Sequence, residues 1–266
     1  MAQSRLLVHP GDGGHRITPE SAGWRYVGFE TRTLKAGETS ALDSGDREAC
    51  IVLLSGKARV TAEGFDSGTI GERASVFEGL PWSVYLPPRA KAAVEAASAC
   101  EFALCSAPAE GRLKARVIRP DEVGTLIRGA GANARHIRNV LPEDAEAESL
   151  LIVEVITPAG HWSSYPPHKH DRDALPEESY LEETYYHRLK PPQGFAFQRV
   201  YTDDRSLDET LTVADGDVVL VPKGYHPVGA PYGYDLYYLN TMAGPKRVWR
   251  FHNDPAHEWL MGAPAS

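Results

Sequence analysis

The chain predicts an all-β protein of two antiparallel barrels or jelly rolls in tandem, on three observations. Apolar runs of strand length, rich in Val, Ile, Tyr and Phe, recur along it, helical periodicity is weak throughout, and the second half echoes the first. Glycine (24) and proline (20) together make up about a sixth of the 266 residues, and they fall at short intervals between the apolar runs. Many tight turns imply many short strands.

In order, the predicted strands are 25–34, 49–54, 57–61, 83–86, 92–96 and 102–106, then 150–156, 181–188, 195–201, 217–221 and 236–239. Short helical pieces are expected only around 120–123 and 254–260. The echo lies in the turns. Leu34-Lys-Ala-Gly37 and Ile156-Thr-Pro-Ala-Gly160 each end a strand in the same way, and Tyr85-Leu-Pro-Pro matches Leu220-Val-Pro-Lys. The stretch 111–148, with its dense Arg128-Gly-Ala-Gly-Ala-Asn-Ala-Arg135-His136-Ile-Arg138 run, reads as a connection. It separates a first β domain, 1–110, from a second, 149–266.

Acidic residues outnumber basic ones 36 to 28, for a net charge of −8, so the cationic footprint of nucleic-acid or anionic-membrane binding is missing. A small ligand is the expected partner. No apolar run reaches the length of a membrane span, and only three cysteines occur. The amino-terminal residues lack the apolar core of a signal peptide, so a reducing cytoplasm is expected.

The stretch Gly160-His-Trp-Ser-Ser-Tyr-Pro-Pro-His168-Lys-His170 is the most informative. On a strand, His168 and His170 share a face, and two neutral imidazoles on one face suit zinc or another first-row divalent ion. Taken alone, such a pair is more often two surface histidines. Its company changes the weighing: Glu182-Glu183-Thr-Tyr-Tyr follows within an apolar strand, and then Gly216-Asp-Val-Val-Leu-Val-Pro222-Lys-Gly224-Tyr-His226.

This series resembles the cupin superfamily, whose jelly-roll barrel holds one metal on three histidines and a glutamate. The resemblance implies a two-cupin fold with few short helices. It carries the ligand positions to His168, His170, Glu183 and His226, for one divalent ion (zinc, manganese or iron). Twelve residues, 171–182, separate His170 from Glu183, more than the family's usual gap, which leaves Glu177, Glu178 and Glu182 as alternatives. Glu183 is preferred because it opens a strand-like run in the family's glutamate-then-aromatic manner. With five acidic residues among twelve, that insertion is expected to form a rim or lid over the metal. The first half has no histidine after Gly37, through Asp46, so its barrel is expected to be structural and without a metal.

Longer segments narrow the resemblance. Glu20-Ser-Ala-Gly-Trp24, the histidine stretch, Leu181-Glu-Glu-Thr-Tyr-Tyr, Gly194-Phe-Ala-Phe-Gln-Arg-Val-Tyr201, Gly224-Tyr-His-Pro-Val and Tyr237-Tyr-Leu-Asn-Thr-Met-Ala-Gly are similar, in order, to the 5-deoxy-glucuronate isomerase family of bacterial myo-inositol catabolism. The resemblance implies an aldose–ketose isomerase acting on a small uronate. A homo-oligomer is expected. Such a reaction needs a metal to polarise oxygens and a group to move protons. Tyr185, on the face of Glu183, and Glu154 are the candidates; Glu182 points the opposite way. For the substrate carboxylate the first choice is Arg199, in an otherwise apolar strand, with Gln198 and Tyr165 also assigned to the substrate. Arg135 and Arg138 read as loop charges. A non-catalytic sugar sensor and a cupin oxygenase are the competing readings.

Overall fold

The computed structural model describes residues 4–262, and its regular secondary structure is almost entirely β-strand. The chain forms two compact units. One comprises residues 10–124 and 139–152; the other comprises 1–9, 125–138 and 153–266.

In the first unit a six-stranded sheet runs in the order Arg116–Ile118, Ser83–Leu86, Arg47–Ser55, Cys100–Pro108, Gly28–Leu34, Arg16–Ile17. A four-stranded sheet runs Thr39–Asp43, Lys91–Ala96, Ala58–Ala62, Phe65–Ile70. The period of two explains the core between them. Ala49, Ile51 and Leu53 alternate on one strand and meet Ala58, Val60, Ala92 and Val94 from the other sheet, all buried. A carboxylate lies within this unit: Glu48, fully buried, accepts the Tyr85 hydroxyl (2.7 Å) and the backbone N–H groups of Glu148, Ser149 and Leu150 at 2.6–2.8 Å. Four donors to one carboxylate make that burial tolerable.

The second unit carries a seven-stranded sheet in the order Leu7–Val8, Val218–Val221, Glu182–Lys190, Asp235–Ala243, Leu151–Thr157, Arg135–Leu141, Gly124–Arg128. A four-stranded sheet runs Trp162–Ser163, Val228–Gly229, Ala196–Tyr201, Asp208–Val213. Runs such as Val-Val-Leu-Val and Leu-Ile-Val-Glu-Val-Ile-Thr are β-branched and buried, as central strands are.

Two expectations are corrected. The stretch 111–148 is not a connection, because it contains the strands Arg116–Ile118, Gly124–Arg128 and Arg135–Leu141 and is shared between the units. Residues 4–9 belong with the second half, where Leu7 and Val8 pair with Val219 and Val218. The helical pieces among the described residues are 3-10 turns at Pro120–Glu122 and Glu258–Gly262, and two that periodicity did not flag, a 3-10 turn at Gly131–Asn133 and a one-turn helix, Pro19–Ala22. No described helix is long and apolar enough to cross a membrane, and all three cysteines are free and buried.

Candidate metal centre and substrate cavity

The centre is assembled by strand alternation. On Glu182–Lys190 the side chains of Glu183, Tyr185 and His187 share one face, and Glu183 sits opposite Val221 and Met242 in the middle of the sheet. His170 follows the short strand His168–Lys169, which pairs with His252–Asn253. His226 comes from the segment after Val218–Val221, where Tyr225 bridges to Tyr201. Gly224 shapes that segment. Its φ of +90° is unfavourable for other residues, and a Cβ there would stand 2.5 Å from the Tyr201 carbonyl oxygen.

One ligand atom each from His170, Glu183 and His226 converge, all within 4.8 Å of one another and all buried. His170 Nε2 lies 3.0 Å and His226 Nε2 3.3 Å from the same Glu183 oxygen. Their other nitrogens are spoken for: Nδ1 of His170 donates to the Leu181 carbonyl (3.0 Å), and Nδ1 of His226 to that of Gly224 (2.8 Å). A carbonyl only accepts, so in both rings Nε2 faces the carboxylate. Burial drops the pKa of His226 to about 4, keeping it neutral, and its Nε2 is buried without a hydrogen-bond partner. Burial also opposes charge on His170, but the Glu183 carboxylate outweighs it and raises that pKa. The proton Glu183 thereby holds on His170 is the one a divalent cation would displace. A neutral imidazole with an orphaned Nε2, a second imidazole and a carboxylate fit such a cation.

His168 stands beside the three. Its ring centroid is 4.9 Å from that of His226 and 6.4 Å from that of His170, and its pKa is lowered by burial and then by these two rings. It also forms part of the wall of a cavity of about 430 Å³, with Arg128, Asn133, Arg135, Trp162 and Tyr165. That size suits a small ligand. On the ligand-bearing face, the Tyr185 hydroxyl hydrogen-bonds Ser164 Oγ at 2.9 Å, and the Tyr238 hydroxyl is bonded to Ser163. Burial raises both phenol pKa values, so both keep their protons. Ser164 itself holds a left-handed φ of +49°. Beneath Tyr185, His187 is fully buried, its pKa pushed down to about 4, and its Nε2 donates to Gln198 Oε1 at 2.9 Å.

Over the described length, a model of the KduI/IolB family matches residues 6–260. The chain belongs to this family. It is 57% identical to a 5-deoxy-glucuronate isomerase of Geobacillus kaustophilus over 264 residues, 97% of this chain and 96% of that protein. It is 51% identical to a protein of the same name from Bacillus subtilis strain 168, covering 93% of this chain and 92% of that one. The crystal structure of an IolB-like protein from Salmonella typhimurium superposes with a TM-score of 0.94 at 53% identity, covering 96% and 99% of the two chains. An oxalate decarboxylase of Lactobacillus farciminis superposes with a TM-score of 0.67 at 16% identity, over 99% of this chain and 92% of that one. The latter likeness shows the fold alone: all-β and cupin, as the resemblance implied.

Set against this KduI/IolB fold, several assigned residues fall elsewhere. Arg199 does not face the cavity. Its side chain is 42% exposed, pairs with both carboxylate oxygens of Asp208 (2.8 and 2.7 Å), and lies 4.3 Å over the Tyr201 ring. Glu154 is buried beneath the Tyr237 hydroxyl (2.7 Å) and Arg138 (3.4 Å), which engage it away from the ligand cluster. Gln198 holds His187 instead of lining the cavity, its amide nitrogen 3.5 Å from the His226 carbonyl. Tyr165 does line it. The insertion 171–182 is a hairpin, Asp171–Ala174 with Glu178–Tyr180, and no residue of it lines the cavity. The rim is instead drawn from 128–135 and 251–261. Glu178 is engaged within the hairpin, accepting from Asp171 N (2.8 Å) and Arg172 Nε (2.8 Å), and Glu177 is exposed, so neither joins the cluster. Sequence reasoning missed Ser163, Ser164 and His187, although His187, four residues after Glu183, shares its face by the same alternation.

Proposed function

We propose that this chain is a metal-dependent isomerase that converts 5-deoxy-D-glucuronate to 2-deoxy-5-keto-D-gluconate in myo-inositol catabolism, as a cytoplasmic homo-oligomer. The observation that carries this reading is the 57% identity to a 5-deoxy-glucuronate isomerase across 97% of the chain. The centre is chemically suited to it. Isomerisation removes the proton on C2, passes through an enediol and returns a proton to C1, while the C2 hydroxyl gives up its proton to become the carbonyl and the C1 aldehyde oxygen takes one up to become a hydroxyl. No electron leaves the substrate, so no oxidant is needed.

A divalent cation on His170, Glu183 and His226, with His168 beside them, would polarise the substrate's carbonyl and hydroxyl oxygens and so acidify that C–H. Zinc, manganese and iron all suit this donor set. Tyr185 does the rest of what the chain's own residues can do on this face. Burial keeps its hydroxyl protonated, Ser164 orients it, and it can donate to the oxygen on which negative charge develops.

The test is a coupled assay on 5-deoxy-glucuronate with protein stripped of metal and reloaded separately with zinc, manganese or ferrous iron. Turnover should vanish on stripping and return with at least one ion, and Tyr185→Phe should lose about a hundredfold in kcat at unchanged metal content. Failure of all three reloaded forms to turn over the uronate overturns the reading.

A further inference from the structure

Arg135 is a cation that the metal centre leaves unused. It opens the strand Arg135–Leu141, is only 7% exposed, and lines the same cavity as His168. Burying a guanidinium is costly unless an anion meets it. Three other arginines of this unit have one: Arg199 has Asp208, Arg188 has Asp215 and Arg138 has Glu154. Among the described residues Arg135 pairs with no carboxylate. Its hydrogen bonds all run from Nη1 to Asn133, to the backbone oxygen at 3.0 Å and to Oδ1 at 3.1 Å. Both of those bonds come from Nη1. The donors on Nε and Nη2, the edge that matches a carboxylate in bidentate fashion, meet no protein acceptor.

The guanidinium is also held in place. Asn133 grips it through two oxygens while its own Nδ2 donates to the Tyr165 carbonyl at 2.9 Å. Gly129, at φ +81°, makes room for it, since a Cβ there would stand 2.8 Å from Nη1 and 2.2 Å from the Asn133 oxygen. A cation fixed this firmly has little left to lose in side-chain entropy when an anion arrives. Its charge also reaches the centre, where it helps lower the pKa of His168.

We propose that Arg135, clamped by Asn133, is the residue that binds the carboxylate of a sugar-acid substrate and so sets which end of the molecule faces the His170–Glu183–His226 centre. This rests on the isomerase reading for the identity of the substrate, though not for the anion site itself. Two measurements separate the two claims. In calorimetry on metal-free protein, gluconate should bind the wild type, its neutral counterpart glucitol should not, Arg135→Met should weaken gluconate at least tenfold, and Arg135→Lys should be intermediate. In kinetics on the metal-loaded enzyme, Arg135→Met should raise KM for 5-deoxy-glucuronate about a hundredfold, with kcat affected far less and metal content unchanged. Gluconate failing to bind, glucitol binding the wild type as tightly as gluconate, or Arg135→Met retaining wild-type affinity would each overturn the assignment. The glucitol comparison needs no variant, so it stands even where Arg135→Met folds poorly. A wild type that binds gluconate through Arg135 but never turns over the uronate would refute the isomerase reading and keep the anion site.

Discussion

Neighbouring carboxylates on one strand meet opposite fates here, because alternation sends Glu183 to the histidines and Glu182 to the other face of the sheet. Glu183→Gln should therefore abolish metal binding, while Glu182→Gln should leave metal content at the wild-type level; atomic absorption on the two purified variants decides it. His187 has a different consequence. Its pKa is about 4 when folded against 6.5 for the free side chain, so below pH 6.5 the unfolded chain binds a proton the folded one refuses. The stability this contributes is present above pH 6.5 and is lost as pH falls toward 4, by about 3 kcal/mol. Urea unfolding of metal-free protein between pH 7 and 4.5 should show stability falling with pH. His187→Gln should fall less steeply, by about one proton.

At the scale of elements, the centre depends on where short connections place their side chains. Gly224 does this twice: its carbonyl takes the His226 Nδ1 hydrogen, and its N–H donates to Asp171 Oδ2 at 2.8 Å, one residue past His170. Two ligand-bearing segments are thus tied through one glycine. An alanine there must move its Cβ away from the Tyr201 carbonyl while holding a φ of +90°. Gly224→Ala should cost on the order of 1–3 kcal/mol in unfolding free energy and weaken metal affinity. Equilibrium unfolding and metal titration of the variant measure both; unchanged affinity would mean that the segment tolerates a shift. The hairpin at 171–180 illustrates the reverse case. Its polarity was legible as exposure, but whether it covered the cavity depended on the direction in which the hairpin leaves His170, which polarity does not encode.

For the whole molecule, the two units share an architecture and differ in side chains. Among the described residues the one cluster of His, Cys, Asp or Glu able to hold a metal is His170, Glu183 and His226, in the second unit. In the first, Glu48 is consumed by a tyrosine and three backbone donors. Metal analysis after reloading should therefore give one ion per chain. Two would mean a second site beyond this cluster.

The all-β class and eleven of the strands in approximate position were legible in the chain itself, as was the candidacy of the three residues the fold brings together, His170, Glu183 and His226, because period-two burial and ligand chemistry are local properties of a sequence. Of the four glutamates weighed, the fold brings Glu183, at the head of an apolar strand, beside the two histidines. The unit boundaries were not, since strands such as Arg135–Leu141 find their sheet through partners far along the chain. The roles of the arginines were not legible either. Arg199 sits in the more apolar run, yet it faces out to Asp208; Arg135 sits in a glycine-rich stretch, yet it is enclosed beside the histidines. A charged side chain's role is set by which anion stands within reach, and that is a matter of three-dimensional neighbours. The sequence singled out residues able to bind a metal; only the tertiary structure decided that Arg135 stands in the cavity wall with no carboxylate beside it.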